Sequence, residues 1–554
     1  MDEVSLGVEI GGTFTDLVAY GPAGLRTVKV PSTTHAPEQG ATTAVREAFA
    51  DLGAVATVVH GSTVATNAVL ERRGERVGLL VTAGFGDLLE LQRQDRTDTT
   101  VLKYRKPQAL VPQSDVVEVI ERMAADGRVI QEIDRASAEA ALDALVATGI
   151  DTLAVCLLHS YRNPAHELAV AELAVQRHPG LTVVLSHQVS PEPREYERAS
   201  TTVLDAYIRP AVDGYLGRLG HALATGGFAG DLHVMQSNGG AMPADIVRRN
   251  AIRMLLSGPA GGVSAALAVG RELGLPDLLT FDMGGTSSDI CLIQGGRAEI
   301  RHDSAIDHLP IRVPMLDIVT VGSGGGSIAA VDHGGMLHVG PRSAGSEPGP
   351  ACYGRGGTQA TITDANVVVG LIRPERFLGG GMRLDIDAAE RACAEAGARL
   401  GTDAAGGAAA ILRVAGTDIA AALRLTSTER GVDPDDFWLL TYGGAGAQHA
   451  VPLAEELGLK GVVVPVVPGL FSAYGLLIAD LSPGLVSSGP RSARHRRPRR
   501  SRPDHPGAAG PRRARVRPSR GGRRTAAVHP HAVAAIRRSG VRPGARGRRR
   551  AARP

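Results

Sequence analysis

Two short stretches of this sequence are near copies of each other. Glu9-Ile10-Gly11-Gly12-Thr13-Phe14-Thr15-Asp16 and Asp282-Met283-Gly284-Gly285-Thr286-Ser287-Ser288-Asp289 lie about 270 residues apart, and each sits between two apolar runs. Val4–Ile10 and 14–20 flank the first turn; 278–282 and 290–293 flank the second. Glycine has no Cβ, so backbone N–H groups in such a turn can close around phosphate oxygens, and neighbouring hydroxyls add donors. One such turn is an ordinary hairpin. Two, with the same strand, Gly-Gly-Thr, hydroxyl and Asp in the same order, are expected to face each other across a cleft and hold the β- and γ-phosphates of ATP from opposite sides. Two unrelated β-turns are the competing explanation, and the shared context on both sides of each turn weighs against it.

Elsewhere the pattern is α/β. Apolar runs at Val77–Thr82, 152–159, 181–186 and 232–236 alternate with helical spacing at 136–148, 166–176 and from 191 to about 225. A further helix is expected over 404–425 and a strand over 437–442. The stretch 322–357 is rich in Gly, Ser and Pro and reads as one long functional loop. Ser257–Gly262 reads as the start of a helix through 263–269 that helps to shape the cleft. A third glycine turn, Tyr442-Gly443-Gly444-Ala445-Gly446-Ala447-Gln448-His449, follows a strand and opens a helix.

With 554 residues the chain exceeds one hydrophobic core. It divides by pattern into 1–182 with the first turn, 190–486 with the second and third turns, and a tail, 487–554. The net charge of +3 conceals this division: residues 491–554 hold 22 arginines and one acidic residue, Asp504, for +21, so the remainder carries −18. The tail lacks Leu, Phe, Tyr, Trp and Met and has nothing to build a core from, so disorder is expected. An out-of-frame reading of a GC-rich gene yields this Arg/Pro/Ala/Gly mixture, and the abrupt switch favours that origin over a genuine basic arm. The acidic body carries no nucleic-acid footprint. No run of 18 apolar residues predicts a membrane span, and no secretory leader is read at the N-terminus. Cys156, Cys291, Cys352 and Cys393 have no zinc spacing and suit a reducing cytoplasm as small buried hydrophobes, with a catalytic thiol left open for Cys352.

The twin turns resemble the phosphate loops of the actin, Hsp70 and sugar-kinase superfamily, a two-domain, ribonuclease H-like fold with a nucleotide cleft. In that superfamily the third glycine turn packs against adenosine. More specifically, 60–68 (His-Gly-Ser-Thr-Val-Ala-Thr-Asn-Ala), Arg194-Glu195-Tyr196-Glu197-Arg198, Gln236-Ser237-Asn238-Gly239-Gly240, Ser257-Gly258-Pro259-Ala260-Gly261-Gly262, the Pro-Gly-Pro-Ala-Cys-Tyr-Gly run within 345–354, Thr363-Asp364-Ala365-Asn366 and Arg430-Gly431-Val432-Asp433-Pro434 resemble blocks of the hydantoinase A/5-oxoprolinase family, in its order, across 1–486. Two departures stand out: Glu9 where Asp is usual, and Ala447-Gln448 in place of a Pro-Leu pair.

The resemblance implies an ATP-dependent subunit that phosphorylates the carbonyl oxygen of a cyclic amide so that water can open the ring, working with a B-type partner subunit. Gly11, Gly12, Thr13, Thr15, Gly284, Gly285, Thr286, Ser287, Gly443, Gly444 and Gly446 are then expected to contact ATP. Asp16, Asp282 and Asp289 are the expected catalytic carboxylates, with Asp282 foremost for base or metal work. Glu9, Asp16 and Asp282 are expected to hold Mg²⁺, usually through water because that ion dehydrates reluctantly. A carboxylase subunit that activates a ketone and an inactive truncated member remain the alternatives. Asp364 reads as a helix cap or as a substrate contact.

Overall fold

The computed structural model describes residues 3–33, 36–96 and 99–481, together with the backbone of Ala534–Arg537. Two sheets share one plan. In the first, Gly24–Pro31, Phe14–Gly21 and Val4–Ile10 form an antiparallel meander. Val55–Ser62 then joins Val4–Ile10 in parallel, Asp231–Met235 joins it in parallel, and Ala241–Pro243 closes the edge antiparallel. In the second, Ile318–Val321, Ser288–Gln294 and Leu278–Met283 form the meander. Trp438–Tyr442 and Gly461–Val464 follow in parallel, and Ala534–Arg537 lies antiparallel at the edge. Strands near the middle of each sheet are apolar and buried through most of their length, as expected where helices cover both faces.

Each half carries an insertion. In the first, Val116–Val119, Val77–Thr82, Thr152–Cys156 and Thr182–Leu185 make a separate parallel sheet. It is flanked by helices Arg135–Ala147 and Ala165–Arg177, the former capped by Asp134 accepting from the Ser137 N–H. The long helix Glu195–Thr225 packs against both this sheet and the core beneath the first one. In the second half, Ile386–Arg399 and Ala404–Thr428 pack as an antiparallel pair, each opened by an Asp cap, Asp385 and Asp403.

One expectation needs correction: the stretch 322–357 is not one loop, since Ser327–Val331 and Leu337–Ser343 pair as a hairpin within it. Ser257–Gly262 starts a helix as expected, forming the first turns of Ser257–Leu273. Asp231–Met235 lies in the first sheet, which therefore draws strands from both sides of 182–190. The disorder expected for 487–554 lies outside the described residues, apart from the strand Ala534–Arg537.

One contact binds the halves at their centre. Helix Phe471–Leu477 follows strand Gly461–Val464 of the second half, yet it lies on the first. A Cβ added at Gly7 would meet the backbone of Ala473, and one at Gly475 would meet the Gly261 carbonyl. The helix is thus clasped between the first strand and helix Ser257–Leu273, backbone against backbone.

Candidate active site

The two Gly-Gly-Thr turns are equivalent in register. Glu9 stands opposite Asp16, and Asp282 opposite Asp289. The Gly11 N–H donates to the Phe14 carbonyl at 3.0 Å, and the Gly284 N–H to the Ser287 carbonyl at 3.0 Å. The tips meet: Thr13 Oγ1 lies 3.3 Å from where a Gly285 Cβ would stand. Both turns line one cleft of about 300 Å³.

Glu9, Gly11, Gly12, Thr13 and Asp16 reach this cleft from the first half. Asp282, Gly284, Gly285, Thr286, Ser287, Asp289, Gly443 and Gly444 reach it from the second. Gly443 has φ +82°, and a Cβ there would strike Asp282 Oδ1, so only glycine fits beneath that carboxylate.

Two expected nucleotide contacts fall elsewhere. Thr15 is fully buried and its Oγ1 pairs with Ser32 Oγ at 3.0 Å, because strand alternation turns Phe14 and Asp16 toward the cleft and Thr15 away. Its counterpart Ser288 does the same, donating to the Ser323 carbonyl at 2.5 Å. Gly446 lies below the third turn, where a Cβ would meet Thr441 Oγ1 at 2.6 Å; it is a packing glycine.

The carboxylates crowd one another. Burial, then the charge of Asp289, pushes Asp282 up to about 8. Burial pushes Asp289 up to about 6 against the opposing hydrogen bond from Thr320. Glu9 is raised well above the ordinary range by burial and then by Asp16 and Asp282, and Asp16 is raised by burial while Lys29 pulls it down. Sequence reasoning missed Lys29, whose Nζ donates to Asp16 Oδ1 at 2.6 Å and to the Gly469 carbonyl at 3.1 Å. It also missed Ser472, whose Oγ lies 3.5 Å from Asp282 Oδ2. Among the described residues no three His, Cys, Asp or Glu side chains converge to hold an ion directly. The crowded carboxylates suit a divalent cation that keeps its waters, with Glu9, Asp16 and Asp282 as outer partners.

One wall of the cleft is apolar: Pro350, Tyr353, Ile372, Phe377 and Leu378, with the rings of Tyr353 and Phe377 centred 5.7 Å apart. Asp364 is not part of the lining. It caps helix Ile362–Val368 through Thr361 and accepts from the Cys352 N–H at 2.8 Å, so the capping alternative is the observed one. All four cysteines are free and buried, and burial pushes the Cys352 thiol up, away from the thiolate.

Two equivalent hairpin-bearing halves around one carboxylate-floored cleft define the two-domain α/β class built on the actin, Hsp70 and sugar-kinase plan. Residues 5–177 match the hydantoinase/oxoprolinase N-terminal region and 198–483 the hydantoinase/oxoprolinase family model. The chain belongs to the hydantoinase/oxoprolinase family. It is 37% identical over 495 residues to the caprolactamase subunit alpha of Pseudomonas jessenii, spanning 86% of this chain and 70% of that subunit. It is 36% identical over 502 residues to the acetophenone carboxylase gamma subunit of Aromatoleum aromaticum, spanning 86% and 68%. Among solved structures, the ATP-dependent caprolactamase from P. jessenii matches with a TM-score of 0.75 at 36% identity, covering 86% of this chain and 71% of that one. The nucleotide-free acetone carboxylase, from work on ATP-dependent acetone carboxylation, matches with a TM-score of 0.76 at 28% identity, covering 87% and 71%. Among the described residues no helix is long and apolar enough to cross a membrane.

Proposed function

We propose that this chain is the ATP-using subunit of a cyclic-amide hydrolase, binding the nucleotide between the two Gly-Gly-Thr turns. The observation that carries this reading is the meeting of Thr13 and Gly285 within one cleft. Backbone N–H groups of Gly12 and Gly285, with the Thr13 and Thr286 hydroxyls, hold the phosphates from two sides, while the Gly11 and Gly284 N–H groups close the turns. Gly443 and Gly444 admit the nucleoside, whose base rests on the Tyr353–Phe377 wall. When bound, ATP supplies a phosphoryl group that turns the substrate's carbonyl oxygen into part of a leaving group. Catalysis of such a transfer is mainly positioning and charge stabilisation, which the paired turns provide. Asp282, raised to about 8 and steadied by Ser472, would serve as the base that takes the ring N–H proton as the carbonyl oxygen bonds the γ-phosphorus and ADP leaves. Mg²⁺, held through water by Glu9, Asp16 and Asp282, would offset the carboxylates' repulsion.

Relatives whose names call them subunits support a partner, and we assign a B-type subunit to the hydrolytic half of the work. Four buried free cysteines suit a cytoplasmic setting. The test is phosphate release by the chain co-expressed with that partner: turnover driven by lactams or hydantoins supports the reading, and no turnover with any cyclic amide refutes it. The likeness to the acetophenone carboxylase gamma subunit favours one second reading, ketone activation for carboxylation. It requires ATP turnover to depend on bicarbonate and a ketone together.

A further inference from the structure

The duplication of the hairpins extends one strand further, and there it breaks. On Gly24–Pro31, Lys29 stands opposite Asp16; on Ile318–Val321, Thr320 stands opposite Asp289. Both bond their carboxylate at 2.6 Å, Lys29 Nζ to Asp16 Oδ1 and Thr320 Oγ1 to Asp289 Oδ1. The equivalent positions therefore keep a donor in each half but a cation in only one. Among the described residues lining the cleft Lys29 is the sole basic side chain, facing four carboxylates. Its ammonium lies 5.0 Å from the centre of the Phe14 ring, its side chain is 28% exposed, and it also reaches the Gly469 carbonyl of the second half. It is thus the one protein charge in place to meet a polyanion, and its bond to a neutral carbonyl is easily exchanged for one to a phosphate oxygen.

We propose that Lys29 is the phosphate-binding cation of the cleft, exchanging the Gly469 carbonyl for an oxygen of the phosphate chain, so that the first half carries the chain's charge while the second contributes only neutral donors. The inference rests on the nucleotide reading of the cleft and adds the residue, and the half, that bear the charge.

Calorimetric titration of the full chain with ATP, ADP and adenosine tests it. Lys29→Met is expected to weaken ATP and ADP about 30- to 100-fold, the size of a lost charge-assisted bond, while leaving adenosine within twofold. Lys29→Arg should restore most of the loss. Exchanging the two residues, Lys29→Thr with Thr320→Lys, should not, because the cation then stands in the wrong half. Should Lys29→Met unfold by leaving Asp16 unpaired, Lys29→Met with Asp16→Asn removes both charges and is held to the same ATP-to-adenosine comparison. A wild type that binds ATP and a variant that binds it equally well, or a variant that loses adenosine in the same proportion, overturns this inference alone. Restoration by the exchanged pair overturns the assignment to the first half. A wild type that binds no nucleotide overturns the cleft reading and this inference with it.

Discussion

The two hairpins share register, turn hydrogen bond and an inward-turned hydroxyl, yet their carboxylates live in different company. In the first, Asp16 is paired with the Lys29 ammonium and Glu9 has a side chain one methylene longer than its counterpart. In the second, Asp282 and Asp289 have only the hydroxyls of Ser472 and Thr320 beside them. Burial raises both pairs; Lys29 bonds Asp16 directly and acts on Asp282 only through its charge, as the smallest of that group's causes. A repeated backbone therefore does not repeat its electrostatics: the neighbour on the next strand is an ammonium beside Asp16 and a neutral hydroxyl beside Asp289.

The largest test of this contrast is catalytic. Asp282→Asn in the co-expressed complex should lower substrate-dependent phosphate release about 10²- to 10⁴-fold, as loss of a general base does. Asp16→Asn should cost distinctly less, and equal losses would break the contrast. Next comes the glycine beneath Asp282. Gly443→Ala forces a left-handed alanine into that carboxylate, at a cost of about 3 kcal/mol, read from the urea midpoint. Gly444→Ala, with nothing within 4 Å, should change stability by less than about 0.5 kcal/mol.

A smaller effect follows from pH. Asp282, at about 8, and Asp289, at about 6, bind protons more tightly folded than unfolded. Their contribution to stability is therefore complete below the ordinary carboxylate range and is lost as pH rises through those two values. Thermal melts of the nucleotide-free chain from pH 5 to pH 9 should show that decline, and Asp289→Asn should flatten its lower part. A decline unchanged in Asp289→Asn would remove the second hairpin from the account. Smallest of all, Thr15→Val should cost about 1 kcal/mol for the lost hydrogen bond to Ser32 and leave ATP affinity alone. Thr13→Val should do the reverse.

Much of this site was legible because its glycines sit between apolar strands at fixed spacing, and both turns fell where the pattern put them. Thr15 was misplaced although the needed rule was at hand: residues 14 and 16 share one face of a strand, and 15 takes the other. Gly446 shows a true ambiguity, since a glycine required by packing and one required by a ligand look alike in sequence. Lys29 could not be seen, because its place beside Asp16 depends on how a third strand pairs, and nothing local fixes that register. The same non-local pairing hid Asp231–Met235 in the first sheet. Nor does any local pattern show that His166 pairs with Glu121 at 2.7 Å and His187 with Glu167 at 2.6 Å, contacts that the tertiary fold makes.

The helix clasped between Gly7 and Gly261 imposes an order on synthesis. Gly7 leaves the ribosome before the segment that covers it, Phe471–Leu477, which emerges more than 460 residues later. Until then the N-terminal strand stands with that flank bare, and because the contact admits no side chain, little else in the polypeptide can take its place. That flank of the first strand therefore cannot close until the chain has been made through Leu477, however early the strand itself is synthesised.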